Sequence, residues 1–164
     1  MECVPLEEFG YKPFAEVLAE QNIDLITPTS SKRPYTPSGG ESMNVWFDRH
    51  PNVFTYGNKD AYEDVPGTRF SIDQMIQSIQ ESEHVYDNVI FGGLSMGGGL
   101  ALYLLSQPNL PPCVKGIFSM GSFLLEKTSF FPPSGTPDIP NTNVPVFMMH
   151  GTLSCGILYL RVHH

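Results

Sequence analysis

The sequence predicts an α/β fold, a mostly parallel β-sheet flanked by helices, incomplete at both termini and forming one domain over residues 1–164. Three observations predict it. Val89-Ile90-Phe91, Gly116–Met120 and Val146–Met149 are short, largely apolar runs without two-residue alternation, as in strands covered on both faces. Segments of helical period lie between such runs. A glycine-rich turn, Gly93–Gly97, joins the first run to the helix-like stretch Leu100–Leu105.

Taken in order, Pro13 suits the first position of a helix over Phe14–Gln21, where its missing N–H costs nothing. Phe14, Val17, Leu18 and Gln21 follow the helical period. Ile23–Thr27 reads as a short buried strand ended by Pro28. Residues 28–40 hold three prolines and two glycines and read as a loop. Ser71 followed by Gln74 reads as a capping box, and Ile72, Met75, Ile76 and Ile79 form the apolar stripe of a helix packed on the sheet. The helix after the glycine-rich turn should end near Gln107, before Pro108. Residues 127–145 contain five prolines and read as an irregular excursion.

Composition narrows the function classes. With 41% hydrophobic and 16% charged residues, the chain is globular and not disordered. A net charge of −8 argues against nucleic acid and against docking on anionic lipid. Three cysteines, Cys3, Cys113 and Cys155, make no disulfide framework and suit a reducing, cytoplasmic compartment. The N-terminal residues have neither the basic nor the apolar region of a signal peptide, and no apolar run reaches membrane-span length. Neither C-x-x-C nor a His/Cys cluster suggests a metal, and no cofactor is implied.

Gly93-Leu94-Ser95-Met96-Gly97 reads G-x-S-x-G between a strand and a helix, the context of a nucleophile elbow. At such a turn the serine hydroxyl projects from the carboxyl edge of the sheet. A Cβ at the flanking glycines is expected to clash. The following helix N-terminus offers free N–H groups and positive dipole character to a developing oxyanion. The alternative, a phosphate-binding turn, fits neither G-x-G-x-x-G nor Gly-Lys-Ser/Thr. Val45-Trp46-Phe47-Asp48, with the only tryptophan, stands out in polar surroundings. These residues read either as core and loop anchors or as part of a substrate-binding rim near the serine.

Tyr35-Thr36-Pro37, Asn44–Arg49, the elbow, Gly116–Ser122 and His150-Gly151-Thr152 occur in the order seen in acyl-protein thioesterases, the lysophospholipase-like carboxylesterases. The chain resembles that family from roughly residue 9 to residue 152, and Val45–Arg49 is most similar to its lysophospholipase-like 1 branch. The resemblance implies an α/β-hydrolase fold and hydrolysis of esters or thioesters by a Ser–Asp–His triad, without cofactor or metal. It assigns Ser95 as nucleophile and the Met96 backbone N–H as one oxyanion donor. It allows Trp46 and Phe47 as acyl-binding residues. The implied substrates are acylated proteins, lysophospholipids or small acyl esters.

The chain departs from that pattern at three places. The His-Gly loop that carries the family's second oxyanion donor has no counterpart, since His50 and His84 are not followed by glycine. The family strand before that loop would lie between the Ile23–Thr27 and Val89–Phe91 strands, which are left with unpaired edges unless they pair directly. The family's acid falls on Ser154, which is no carboxylate. Only 14 residues follow His150, whereas a βαβ unit needs about 30. Leu153–His164 reads as a non-family tail. A rebuilt triad of Ser95, Glu126 and His163 is admissible in chain order, while His150 reads as structural at a satisfied turn. The alternative to a serine hydrolase is therefore an inactive, truncated hydrolase-fold chain lacking the triad's acid and base.

Overall fold

The computed structural model of the chain describes residues 12–49, 65–81, 86–122, 140–141 and 143–151. In chain order these form α1 (Lys12–Glu20), the strands β1 (Lys32–Tyr35) and β2 (Glu41–Asn44), and α2 (Val65–Gln80). Then come β3 (Val89–Leu94), α3 (Met96–Tyr103), β4 (Val114–Met120) and β5 (Val146–Met149).

The three later strands make one parallel sheet in the spatial order β3-β4-β5. Phe91 pairs with Ile117 and Leu94 with Met120 across β3 and β4, and Ile117 pairs with Val146 across β4 and β5. The ladders run past the strand ends: the Val89 N–H donates to the Cys113 carbonyl at 2.8 Å and the Gly121 N–H to the Met149 carbonyl at 2.7 Å. β3 to β4 is a βαβ crossover through α3, as the alternation of apolar runs predicts.

Residues 98–103 of α3 are all buried, which is the environment of a helix that is apolar around its whole circumference. The helix packs on β3 and β4 and, on its other side, against α2. It tightens into a 3-10 turn at Leu104–Ser106 and stops at Gln107, as expected from Pro108. The core joins Leu100–Leu105 with Phe47, Ile72, Met75 and Ile117. Ile72 and Met75 of the expected apolar stripe thus face α3, in a core to which Ile117 of the sheet also contributes.

Four expectations need correction. The first helix runs Lys12–Glu20, so Pro13 is its second residue, still in the turn where no N–H is needed. Ile23–Thr27 forms no strand, and Ile23, Leu25 and Ile26 are exposed. A strand exists only where a neighbour takes its backbone groups, and no described strand lies beside this run. Residues 28–40 are not simply a loop, since they contain β1, paired antiparallel with β2, and a 3-10 turn at Thr36–Ser38. The helix expected to start at a Ser71 capping box begins at Val65, with Pro66 in its first turn. Ser71 is mid-helix and fully buried, and its hydroxyl donates to the Trp46 carbonyl instead of capping an N–H.

β3 is the edge of the described sheet. Its Val89 N–H points to β4, and so does the N–H of Ser95, which follows it; strand alternation therefore turns the N–H groups of Ile90, Gly92 and Leu94 the other way. The segment 23–27 does not pair with them. Ile90 is 67% and Leu94 64% exposed, which marks the face of the sheet that carries them as uncovered by any described element.

Candidate active site

β3 ends at Leu94 and α3 begins at Met96, so a single residue, Ser95, makes the strand-to-helix turn. Ser95 has φ 53° and ψ −117°, one of two non-glycine residues with positive φ among the described ones. Such a backbone costs about 1–3 kcal/mol and persists only where its surroundings enforce it. Here the Ser95 N–H donates to the Met120 carbonyl at 2.9 Å and its carbonyl accepts from the Gly99 N–H at 3.0 Å. A serine in the N-cap position ordinarily accepts a hydrogen bond from the first helical turn. Ser95 makes no such side-chain bond; its residue is exposed at the carboxyl end of the parallel strands.

The tightness of this turn is set by two glycines, and only one of them, Gly93, flanks the motif. A Cβ on Gly93 would lie 2.6 Å from the Gly97 carbonyl carbon and 2.8 Å from the Gly98 nitrogen. A Cβ on Gly98 would lie 2.7 Å from the Gly93 carbonyl oxygen, 2.8 Å from the Ser122 Cβ and 3.0 Å from the Ser119 Oγ. At Gly97 the expected clash is absent: the nearest atom is Trp46 Nε1 at 3.9 Å, an ordinary contact. Ser119 and Ser122 are buried and hydrogen-bonded to each other where β4 meets the start of α3. Sequence reasoning took them as part of a family stretch and missed this role. Small hydroxyl residues at the end of the strand after the elbow were the available signal.

The N–H groups of the first turn of α3 have no intrahelical acceptor, and the helix dipole adds positive character there. The Met96 N–H is the first of them. Trp46, Phe47 and Asp48 follow β2 and are held from three sides. The Thr36 N–H donates to Asp48 Oδ1 at 2.7 Å and the Thr36 hydroxyl to Oδ2 at 2.5 Å. Ser71 of α2 holds the Trp46 carbonyl, and Arg33 Nη2 donates to that same hydroxyl at 3.4 Å. The Phe47 ring stands edge-on to Tyr103 of α3, centroids 5.9 Å apart at 87°. Phe47 is 1% exposed, so it is a core anchor and not a residue of a substrate rim. Trp46 is half-buried, with its indole beside the first turn of α3.

Ser95, Met96, Gly97 and Trp46 are thus brought together. Ser95 Oγ has no hydrogen-bond partner among the described residues. His150 lies just past β5, exposed and without a hydrogen bond among the described residues, so the satisfied structural turn expected of it is not seen. Ser154, Glu126 and His163 fall outside the described residues. Among the described residues, no group of three or more His, Cys, Asp or Glu could hold a metal ion, and no helix is long and apolar enough to cross a membrane.

A parallel sheet with an exposed serine at positive φ between strand and helix, closed by glycines, defines the α/β-hydrolase class. Within it the chain belongs to the phospholipase/carboxylesterase family, whose profile matches residues 10–159. Its curated relatives include lysophospholipase-like protein 1 of Mus musculus, 36% identical over 114 residues that cover 65% of this chain and 43% of that protein. Acyl-protein thioesterase 1 of Debaryomyces hansenii is 28% identical over 157 residues, 87% of this chain and 62% of that one. The chain therefore spans less than two thirds of the length of either relative. The crystal structure of Arabidopsis thaliana SOBER1 shares the fold, with a TM-score of 0.58 at 22% identity over 88% of this chain and 68% of that one. Acyl-protein thioesterase 2 of Zea mays matches with a TM-score of 0.54 at 19% identity, over 84% of this chain and 65% of that one.

Proposed function

We propose that the chain is a serine hydrolase of the acyl-protein thioesterase/carboxylesterase type, acting on ester or thioester bonds through an acyl-Ser95 intermediate. The observation that carries the proposal is the Ser95 backbone at φ 53°, which holds an exposed hydroxyl at the start of α3 without using it as a helix cap. Ser95 Oγ attacks the acyl carbonyl carbon and its proton passes to a general base. The Met96 N–H donates to the oxyanion, the thiol or alcohol leaves, and water releases the acid from the serine. Trp46 forms a wall of the acyl site, and Phe47 supports it from the core. The fitting substrates are S-acylated proteins, lysophospholipids and small acyl esters in the cytoplasm, and the net charge of −8 disfavours nucleic acid as a partner.

A second reading is favoured by two observations: Ser95 Oγ has no histidine on it among the described residues, and the position of the family acid holds Ser154. On that reading the chain keeps the fold and the elbow but turns over little. Hydrolysis of an octanoyl thioester by wild type and by Ser95→Ala separates the two. Turnover above the thiol-release background, abolished in Ser95→Ala, supports the hydrolase; equal background rates from both folded proteins support the inactive chain.

A further inference from the structure

We infer that the buried hydroxyl pair Ser119–Ser122 positions the nucleophile elbow, an inference that rests on the proposed role of Ser95. The two residues are 1% and 8% exposed, and each hydroxyl is the other's hydrogen-bond partner. They bracket Met120 and Gly121, and Gly121 at φ 50° makes the bend across which the two side chains meet. Both hydrogen bonds that hold Ser95 at φ 53° run to residues beside this bracket. The Ser95 N–H donates at 2.9 Å to the carbonyl of Met120, which lies inside it. The Ser95 carbonyl accepts from Gly99, and the preceding Gly98 rests on the pair: a Cβ there would lie 2.8 Å from the Ser122 Cβ and 3.0 Å from the Ser119 Oγ.

Packing alone does not ask for hydroxyls here. Two alanines would cover the same glycine without the cost of burying two polar groups. A directional bond between the hydroxyls adds what alanines lack, since it closes the bend at one separation. The Met120 carbonyl and the surface under Gly98 are then held as one piece, and the Ser95 hydroxyl and Met96 N–H are aimed from it. Ser119 and Ser122 touch no reacting atom, so they are positioning residues. Loss of one hydroxyl leaves the other buried without a partner and loosens the bend. Misplacing a nucleophile by about 1 Å can slow its reaction by about a hundredfold, so a smaller shift suffices to be read in the rate.

Labelling of Ser95 by an alkyl fluorophosphonate, followed over reagent concentration, separates the binding constant KI from the maximal rate kinact. Ser119→Ala and Ser122→Ala should each lower kinact about tenfold at unchanged KI. The double variant should lose no more than either single one, because the pair acts as a unit. Ile72→Val, a core substitution in α2, also lowers stability and should leave kinact at the wild-type value. Amide hydrogen exchange reads the bend without any chemistry. The Ser95 and Gly99 N–H groups should exchange faster in both serine variants, while the Val89 N–H at the far end of β3 keeps its rate. Wild-type kinact in the folded serine variants, losses that multiply in the double variant, or unchanged exchange at Ser95 would overturn the inference and leave the proposed hydrolase standing. Ser122→Ala, at the less buried of the two positions, decides if Ser119→Ala folds poorly. A folded wild-type protein left unlabelled would remove the reading of Ser95 and this inference together.

Discussion

Gly98 meets Gly93 backbone to backbone: a Cβ on Gly98 would lie 2.7 Å from the Gly93 carbonyl oxygen, and behind it stand the hydroxyls of Ser119 and Ser122. This contact, and not the motif spacing alone, docks the first turn of α3 against the ends of β3 and β4. It keeps Ser95 in its bend.

The two neighbouring glycines of α3 should therefore respond oppositely to alanine. Gly98→Ala drives a methyl group into backbone and a packed serine and should cost about 1–3 kcal/mol. Gly97→Ala makes only an ordinary contact with the Trp46 indole and should be neutral or stabilising by up to about 1 kcal/mol, through helix propensity. Urea unfolding of both variants measures the difference.

Ser95→Gly should raise stability while removing any reactivity at that position. Glycine adopts φ 53° without the serine's steric penalty, so a gain of about 1 kcal/mol is expected. Thermal unfolding checks it; an unchanged or lower midpoint would show that the turn is not strained.

Asp48→Ala deletes the acceptor of two Thr36 hydrogen bonds, and about 2 kcal/mol of stability should go with it. Asp48→Asn keeps an acceptor for the N–H and should lose less. Both effects should be accompanied by a red shift of the Trp46 fluorescence, as the loop loosens and the indole meets more water.

Phe47→Leu tests whether this side chain supports the loop from the core. Loss of the edge-on pair with Tyr103 and part of the buried ring should cost about 1–3 kcal/mol. A substitution at a solvent-facing rim would cost under about 0.5 kcal/mol.

The parallel strands and the elbow were legible because each is written in local sequence. Val146–Met149 matches its apolar run residue for residue, and Ser95 sits where strand, glycine and helix signals coincide. β3 and β4 extend beyond their apolar cores, through Gly92 and Gly93 at one and back to Val114 at the other. Pairing with a neighbouring strand overrides propensity there. The β1–β2 hairpin was illegible: Lys32-Arg33-Pro34-Tyr35 has no strand pattern, and the hairpin is held by Asn44 Nδ2 donating to the Ser30 carbonyl and by Asp48 on Thr36. Ile23–Thr27 erred the other way, a good strand pattern with no described partner. In the site, the roles of Gly97 and Gly98 depend on which backbone approaches them, and that is a property of the tertiary structure.

The most direct test of the central claim is to treat the purified chain with a fluorophosphonate and locate the adduct by peptide mass mapping. The account predicts one phosphonylated residue, Ser95, and no adduct in Ser95→Ala. A folded protein left unlabelled, or labelled at another residue while Ser95 stays free, would contradict it.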